Sequence, residues 1–406
     1  MKPPGRQPRN ADHRKSGARV HAVGDLAGMH VVYVVNEDWM FWSHRRALAR
    51  AAQNSGATVT VATRVGRLRA DMEADGFRVV ALPWRRGARS MIGEIRSLRA
   101  LVRLYRQERP AIVHHVGIKS MLYGGVAACL GRRPRQIHAL TGFGYVATSR
   151  QLRARVLRLF ARLISHAILN NSRALVIVQN PDDQRAVCDA GWFDRGRVHL
   201  VRGSGVDVGE FVPLPEPARP FTVALAARLV RSKGVFDLVE ASRELRARGR
   251  NDVHVILAGT CDVENPEGVD ARALQEWVSE GLVEYAGHLD DIRELWRRAH
   301  VAVLPSYREG LPRALLEAAA CARALIATDV PGCREIVRDG DNGLLVPARD
   351  PSALADAILC LCDDDAQRLT MARRSRERVE GEFSDAMVIG ATFDVYRRLL
   401  ASGGSV

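Results

Sequence analysis

Lysine is scarce in this 406-residue chain, where only four of the 60 cationic residues are lysines and the rest are arginines. Lys2 and Lys15 lie in the polar N-terminal segment, so Lys119 and Lys233 are the two that we expect in the folded part. An ammonium group is a compact point charge, whereas a guanidinium group binds as a planar fork. We therefore interpret Lys119 and Lys233 as candidate contacts to phosphate.

Long apolar runs are absent as well. No segment approaches the roughly 18 consecutive apolar residues that a membrane-spanning helix needs. The N-terminal segment MKPPGRQPRNADHRKSGAR contains no apolar stretch of the kind found in a signal peptide. The hydrophobic content of 47% and the charged content of 26% are typical of a folded protein. The sequence thus predicts a cytoplasmic protein in which residues 1–28 form a disordered basic tail.

The seven cysteines form no CxxC pair and no cluster with histidine, and their number is odd. These patterns argue against a structural zinc site and against a disulfide framework. We expect buried thiols.

Acidic residues are few in the first half of the chain. Residues 1–200 hold 34 lysines and arginines against 13 acids, whereas residues 201–406 hold 26 against 33. A basic half favours an anionic partner, which could be nucleic acid, a phosphate-bearing substrate or an anionic membrane surface. The alternative is that the solvated faces simply carry arginine. Specific nucleic-acid binding is disfavoured, because aromatic residues amount to only 6% and no recognition motif is present.

Short β-branched runs alternate with segments of helical spacing, which is the pattern of βαβ units and a parallel sheet. The pattern stops at FVPLPEPARP, residues 211–220, whose prolines fit neither a helix nor a central strand, and then starts again. The predicted strands are HVVYVV (30–35), TVTVA (58–62), RVVAL (78–82), AIVHH (111–115), QIHAL (136–140), ALVIV (174–178) and VHLV (198–201), then FTVALAA (221–227), VHVILA (253–258), LVEYA (282–286), VAVLP (301–305), LIAT (325–328) and LLVP (344–347).

We therefore predict an α/β protein with two Rossmann-like, doubly wound parallel-sheet domains that face each other across a cleft. The expected N-terminal domain covers residues 29–205, the hinge or linker 206–220, and the C-terminal domain 221–383. A last helix within 384–406 could cross back to the N-terminal domain. In open α/β sheets, ligands bind beyond the carboxyl ends of the strands.

The segment EGLPRALLE, residues 309–317, follows such a predicted strand. Glu309 is expected in the loop, Pro312 in the first turn of a helix, and Glu317 inside that helix. A buried carboxylate is costly unless it is paired or hydrogen-bonded. Glu317 therefore either pairs with an arginine or waits for the hydroxyl groups of a ligand, while the free N–H groups of the helix start suit a diphosphate.

A second candidate site is ARLVRSKG, residues 227–234, which follows the first strand of the second domain. Arg228 and Lys233 flank a turn that ends at Gly234. Two cations at the edge of a strand can neutralise a leaving diphosphate without a metal ion, because they stabilise charge that grows in the transition state. The alternative is a solvated loop.

The glycine pattern TGFGYVA, residues 141–147, suggests dinucleotide binding. That function also requires an acidic residue about 20 positions later, yet residues 151–181 contain no aspartate or glutamate. We expect these glycines to line the cleft.

Together these segments resemble the retaining GT-B glycosyltransferases of family 4, over most of residues 29–385. ARLVRSKG is similar to the family's Arg and Lys pair for the diphosphate, EGLPRALLE to its paired-glutamate signature, and TDVPGCREIVRDGDNGLLVP (328–347) to the stretch after it. GSGVD (203–207) resembles the hinge motif. The segments NEDWMFWSHR, HHVGIKSMLYGG and TGFGY resemble the branch that builds capsule, O-antigen and other lipid-linked glycans.

The resemblance implies roles for individual residues. Glu317 would accept the ribose hydroxyl groups, Glu309 would face the donor sugar, and Arg228 and Lys233 would hold the phosphates. The remaining implied donor contacts are Gly310, Leu311 and Pro312 near the helix start, and Gly259, His288 and Leu289 beside the base. The implied acceptor or cleft residues are Asn36, Ser43, His44, His115, Lys119, Thr141 and Gly142.

The chain departs from the family pattern at two places. Residues 36–43 replace the paired-glycine loop of many members, and Thr141 stands where many have a cleft histidine. His115 and Lys119 are candidates for the sugar-facing role in the N-terminal half. His114 and His115 could equally be ordinary histidines at a strand end.

The resemblance implies a metal-independent hexosyl- or N-acetylhexosaminyl-type transferase with no cofactor. Its donor would be a nucleotide diphosphate sugar, most plausibly a UDP-sugar, and its acceptor a polyprenyl-diphosphate-linked or other glycan. The basic half would lie against the anionic inner face of the cytoplasmic membrane. A nucleotide-sugar epimerase of the same architecture and a non-catalytic scaffold are the alternatives.

Overall fold

The computed structural model describes residues 26–84, 91–141, 173–262 and 265–402, which form two parallel β-sheets. The first sheet has the strand order β3-β2-β1-β4-β5-β6-β7 over these residues, and all its neighbouring pairs are parallel. Its strands are β1 (His30–Glu37), β2 (Thr58–Arg64), β3 (Arg78–Ala81), β4 (Ile112–Val116), β5 (Arg135–Leu140), β6 (Ala174–Val178) and β7 (Val198–Leu200).

The second sheet is also parallel and has the order β10-β9-β8-β11-β12-β13. The order reverses direction beside the first strand of each sheet, which creates the crevice where open α/β sheets bind ligands. The predicted α/β fold with two doubly wound domains is confirmed. The strands are β8 (Phe221–Ala226), β9 (Val253–Ala258), β10 (Glu284–Gly287), β11 (Val301–Leu304), β12 (Ala324–Thr328) and β13 (Gly343–Val346).

Helices connect the strands and cover both faces of each sheet. Within the described residues those of the N-terminal half are α1 (Asp38–His44), α2 (Arg46–Asn54), α3 (Arg69–Ala74), α4 (Met91–Glu108), α5 (Ile118–Leu130) and α6 (Pro181–Asp189). Those of the C-terminal half are α7 (Val235–Ala247), α8 (Ala271–Ser279), α9 (Arg293–Arg298), α10 (Arg313–Ala320), α11 (Cys333–Ile336), α12 (Pro351–Asp363), α13 (Asp365–Glu382) and α14 (Asp385–Ala401).

Helix starts follow the local sequence. The side chain of Asp350 accepts a hydrogen bond from the amide of Ala353, and Pro351 occupies the first turn of α12, as the sequence predicts. The prediction for Pro312 is wrong by one residue, because α10 begins at Arg313 and Pro312 is its N-cap, with extended backbone. Pro312 therefore directs the chain into α10 rather than forming its first turn.

Helix α14 belongs to the C-terminal part of the sequence but packs on the first sheet. Its Val388, Phe393 and Tyr396 lie in the same apolar cluster as Val31 and Tyr33 of β1. The hydroxyl groups of Tyr33 and Tyr396 are 3.2 Å apart, and that of Tyr396 is 2.7 Å from Nδ1 of His114. The chain therefore crosses between the two halves a second time before α14.

The seven cysteines are free thiols. The expectation of burial is met by Cys321, Cys333 and Cys362, whereas Cys360 is exposed. None of the helices in the described part of the chain is long and apolar enough to cross a membrane.

Candidate active site

A cavity of about 670 Å³ lies at the carboxyl ends of both sheets. One wall is made of residues 226–228, 258–262 and 288–289, which follow β8, β9 and β10. The other wall is made of residues 38–39 and 67–68, which follow β1 and β2. A volume of this size is typical of small-molecule sites. Both halves of the chain therefore contribute to one candidate site.

Arg228 lies on the C-terminal wall of the cavity, two residues beyond β8. Its Nη1 is 3.0 Å from Oδ2 of Asp262, a buried residue that also lines the cavity. The close approach of the β8 and β9 ends requires glycine at position 259, because a Cβ there would lie 1.8 Å from the carbonyl oxygen of Ala227. The ion pair orients the guanidinium group, whose other N–H groups can donate to an anion.

Lys233 ends a short 3-10 turn, Arg231–Lys233, and Nζ of Lys233 lies 2.5 Å from Oε1 of Glu309. Glu309 is buried, whereas about a quarter of the Lys233 side chain is exposed. Gly234 follows in the left-handed conformation with φ of 69°, and a Cβ there would lie 1.9 Å from the carbonyl oxygen of Pro305. Glycine at this position thus lets the turn approach the loop after β11, which brings Lys233 and Glu309 together.

The loop that carries Glu309 is held against the N-terminal half. Nδ2 of Asn180 donates to the carbonyl oxygen of Gly310 at 2.8 Å. A Cβ on Gly310 would lie 2.6 Å from the carbonyl oxygen of Thr141 and 2.7 Å from Oε1 of Gln179. Gly310 therefore permits direct contact between the two halves at the ends of β5 and β6.

Glu317 lines the cavity and pairs with an arginine, which is the first of the two alternatives given for this residue. Nε of Arg313, one turn earlier in α10, lies 2.6 Å from Oε1 of Glu317. Nη1 of Arg313 donates to the carbonyl oxygen of Ser43 in α1. Burial raises the pKa of Glu317, and the positive charge of Arg313 opposes that shift. Arg313 thus links the candidate ligand carboxylate to the N-terminal half.

His44 lies close to the positive charges of Arg313, Arg45 and Lys233. Oγ of Ser43 donates to the carbonyl oxygen of Trp39 and is 2.5 Å from Nδ1 of His44. Burial lowers the pKa of His44 to about 3, and the charge of Arg313 adds to the effect. The imidazole is therefore neutral at neutral pH, with Nδ1 as the donor and Nε2 as an acceptor.

The other residues predicted in the N-terminal half have separate environments. Asn36 accepts a hydrogen bond from Oγ of Ser120 at the start of α5. Lys119 lies 3.6 Å from Oε1 of Glu94 and 5.9 Å from the ring centre of Trp84. Gly142 lies outside the described residues.

His115 is in the protein interior and does not line the cavity. Its Nε2 is 2.8 Å from the hydroxyl oxygen of Tyr105, and its Nδ1 is 3.1 Å from Nδ1 of His138. A Cβ on Gly124 of α5 would lie 2.0 Å from Nε2 of His115. The structure therefore places His115 between the sheet and its covering helices, away from the cleft.

Of the residues predicted for the donor, Arg228, Gly259, His288, Leu289 and Glu317 line the cavity. The cavity lining does not include the other five, which are Lys233 after β8 and Glu309, Gly310, Leu311 and Pro312 between β11 and α10. Sequence reasoning missed Asp38, Trp39, Arg67 and Asp262 on the cavity walls. In the described part of the chain, no group of three His, Cys, Asp or Glu side chains is arranged to hold a metal ion.

Comparison with known proteins identifies the family. Residues 220–364 match the model described as "Glycosyl transferases group 1", and residues 30–180 match "Glycosyl transferase 4-like". The two models together cover more than two thirds of the chain. This chain belongs to the family 4 glycosyltransferases.

Two relatives align over most of their length. The capsular polysaccharide biosynthesis glycosyltransferase CapM of Staphylococcus aureus is 24% identical over 77% of this chain and 83% of its own. The N,N'-diacetylbacillosaminyl-diphospho-undecaprenol alpha-1,3-N-acetylgalactosaminyltransferase of Campylobacter jejuni is 23% identical over 74% and 81%. A crystal structure of Anabaena HepE in complex with UDP has a TM-score of 0.73 and 18% identity, and covers 92% of this chain and 100% of that chain. This likeness confirms the GT-B fold, and the matches do not favour the epimerase alternative.

Proposed function

We propose that this glycosyltransferase moves a hexosyl or N-acetylhexosaminyl group from a UDP-sugar to a polyprenyl-diphosphate-linked or other glycan acceptor, with retention at the anomeric carbon. The observation that carries the proposal is the cavity, where Arg228 and Glu317 lie on the walls, together with the Lys233–Glu309 ion pair in the segments that follow β8 and β11. The acceptor class follows the Campylobacter relative, whose name specifies a diphospho-undecaprenol substrate.

The two cations suit the departure of a diphosphate. When the bond between the anomeric carbon and the diphosphate oxygen breaks, negative charge grows on the leaving group. Fixed positive charges at that point stabilise the transition state more than the ground state. Arg228 is oriented by Asp262 and Lys233 by Glu309. We propose that this pair, together with the amide groups at the start of α10, supplies the charge that other transferases take from a divalent cation.

Glu317 suits the ribose end of the donor. A carboxylate accepts hydrogen bonds from two neighbouring hydroxyl groups, and Glu317 lies on the cavity wall with Arg313 holding one of its oxygens. The backbone at Gly259 and the residues His288 and Leu289 line the same cavity and would border the base. UDP is the nucleotide in the similar HepE crystal structure.

The acceptor and the membrane would be reached through the N-terminal half. Its excess of arginine suits a diphosphate-linked lipid acceptor and an anionic lipid surface. We therefore propose a peripheral position on the inner face of the cytoplasmic membrane.

Nucleotide binding tests the donor assignment. A ligand that binds only the folded state stabilises it by about 2.7 kcal/mol when its concentration is 100 times Kd, which raises Tm by several degrees. UDP and UDP-sugars should raise Tm more than the corresponding ADP, GDP and TDP compounds. Equal shifts for all four nucleotides, or no shift with any, would contradict a UDP donor.

The reaction itself separates a transferase from an epimerase. A transferase releases UDP in proportion to the acceptor that is added, whereas an epimerase converts the donor sugar without an acceptor. Released UDP and the sugar anomer and epimer can be measured in the same sample, with and without undecaprenyl-diphosphate-linked glycan. Epimer formation in the absence of acceptor would overturn the proposal.

A further inference from the structure

A second cavity, of about 230 Å³, is lined by five arginines. The residues that line it come from the segments just before β4, β5 and β6, and from the first residue of β5. Because the strands are parallel, these amino ends lie at the edge of the first sheet opposite the candidate active site. The five arginines, here called the arginine pocket, are Arg109, Arg132, Arg133, Arg135 and Arg173.

Among the residues that the structure describes, no acid lines the arginine pocket. Residues 109–181 contain eleven lysines and arginines and no aspartate or glutamate, so the local sequence supplies no counterion. The adjacent acid, Glu108, is already 2.7 Å from Nη2 of Arg78. The pocket is therefore positively charged in the absence of a ligand.

Hydrogen bonds to backbone carbonyl oxygens hold two of these arginines. Nη1 of Arg173 donates to the carbonyl oxygen of Arg133, and Nη2 of Arg135 lies 3.4 Å from that of Leu400 near the end of α14. The side chains of Arg109, Arg132 and Arg133 make no hydrogen bond or ion pair with any residue that the structure describes. These two hydrogen bonds therefore leave three guanidinium groups unexplained.

The backbone gives a second reason to assign a role to these side chains. Arg109 has φ of 45° and Arg133 has φ of 50°, in the left-handed region that favours glycine or asparagine. Arg109 directly follows α4, where glycine is the common choice, and Arg133 lies two residues after Gly131, the C-cap of α5. Arginine at both positions raises the free energy of the folded protein, because the backbone is strained and the pocket gains positive charge. The favourable free energy of binding an anion would offset both costs.

We propose that the arginine pocket binds a phosphate group of an anionic ligand, separately from the donor site. Guanidinium groups bind phosphate through paired, charge-assisted hydrogen bonds. The small volume fits one or two phosphate groups and not the backbone of a polymer. The ligand is either a phospholipid headgroup or a soluble phosphorylated molecule, since both present the same chemistry.

The test compares wild type with the triple variant Arg109→Gln, Arg132→Gln, Arg133→Gln. The matched control, Arg69→Gln, Arg185→Gln, Arg195→Gln, removes the same charge from exposed arginines of the same half that already have carboxylate partners. Calorimetric titration with inorganic pyrophosphate measures binding. Any binding at the donor site is common to the three proteins, so the difference between them reports the pocket.

We expect the triple variant to lose roughly tenfold or more in pyrophosphate affinity at the second site, while the control keeps wild-type affinity. A triple variant that binds pyrophosphate with wild-type stoichiometry and affinity, or an equal loss of affinity in the control, would overturn the proposal. The Tm of the triple variant without ligand shows whether its fold is intact. Because the substitutions remove like-charge repulsion, we expect this Tm to equal or exceed that of wild type. If the three arginines only capped helices, the Tm would be lower. The single variant Arg132→Gln gives the same comparison should the triple variant be unstable.

Vesicle flotation identifies the source of the phosphate. If the ligand is a headgroup, wild type and control bind vesicles that contain phosphatidylglycerol, and the triple variant binds them more weakly. If it is a soluble molecule, all three bind vesicles equally while the difference with pyrophosphate remains. If the three proteins bind membranes equally, the proposed peripheral location still holds. The proposal for the arginine pocket and the proposal for the membrane location are therefore tested separately.

Discussion

Arg67 and His288 meet across the cleft, with Nη2 of Arg67 2.8 Å from Nε2 of His288. Both residues line the cavity, one from each half of the chain. A guanidinium group can only donate, so Arg67 is the donor of this hydrogen bond. This hydrogen bond joins the two walls of the cavity beside the residues that we assign to the base.

Removing that contact should weaken donor binding modestly. Arg67→Ala loses one exposed, charge-assisted hydrogen bond, which contributes about 0.5–1 kcal/mol. We expect KM for the donor to rise about two- to fivefold and kcat to stay nearly constant in steady-state assays. Arg69→Ala removes an exposed arginine that pairs with Glu73 instead, and it should behave like wild type. An unchanged KM in Arg67→Ala would show that the contact with His288 does not contribute to donor binding.

Lys233 should act mainly on the chemical step. Lys233→Ala removes a charge from the leaving diphosphate and leaves the buried Glu309 without its partner. We expect kcat to fall by about two to three orders of magnitude, with a smaller change in donor Kd. Arg231→Ala is the matched control, because Arg231 is in the same turn but stacks on the ring of Phe236 at 4.1 Å. Similar losses in both variants would point to damage to the turn rather than to catalysis.

Glu317 should determine donor affinity. Glu317→Ala removes the hydroxyl acceptor and leaves Arg313 without its carboxylate, so we expect donor Kd to rise tenfold or more. Glu317→Gln keeps the size and an acceptor oxygen and should lose less. The double variant Arg313→Leu, Glu317→Leu decides between the two roles of Glu317. If pairing with Arg313 were its only task, this variant would bind the donor as wild type does in calorimetric titrations.

Asp385 should make stability depend on pH. Burial raises its pKa from 3.8 to about 6, with further repulsion from Asp207 and Glu210. The folded protein therefore holds this proton more tightly than the unfolded chain, and its contribution to the free energy of unfolding decreases as pH rises from about 4 to about 6.

Asp385→Asn removes that dependence. At pH 7 or above the variant should be more stable than wild type by up to about 3 kcal/mol, and the difference should vanish near pH 4. Urea denaturation across this range measures it. Asp394→Asn, on the exposed face of the same helix, should follow wild type at every pH. A stability difference that is constant with pH would refute the titration of Asp385.

Most strands of both sheets could be predicted because they are short aliphatic runs with both faces buried, whereas the edge strand β10 is exposed or half-buried. The same geometry explains why His115 was expected in the cleft. Successive side chains of a strand point to opposite faces, and in a central strand both faces are covered. His114 therefore contacts Tyr396 of α14, and His115 contacts Tyr105 of α4. No local sequence feature distinguishes such a pair from histidines at an open strand end.

The cavity wall from the C-terminal half could also be predicted, since Arg228 and Glu317 belong to motifs that follow strands. The wall from the N-terminal half could not be predicted. Arg67 and Trp39 carry no periodicity or spacing that marks a site, and their place on the wall depends on how the two halves dock. The contact of Arg313 with Ser43 has the same origin.

The two crossings between the halves run side by side, because the amide of Val206 donates to Phe383 and that of Asp385 donates to Val206. Two adjacent, hydrogen-bonded connections tie the halves together at two points of the chain, where a single linker would tie them at one. Because α14 packs on the first sheet, the second crossing also makes the N-terminal half discontinuous in sequence. A chimera that exchanges lobes with a relative must carry residues 385–401 along with the N-terminal lobe, or the sheet face under Tyr396 will be exposed to water.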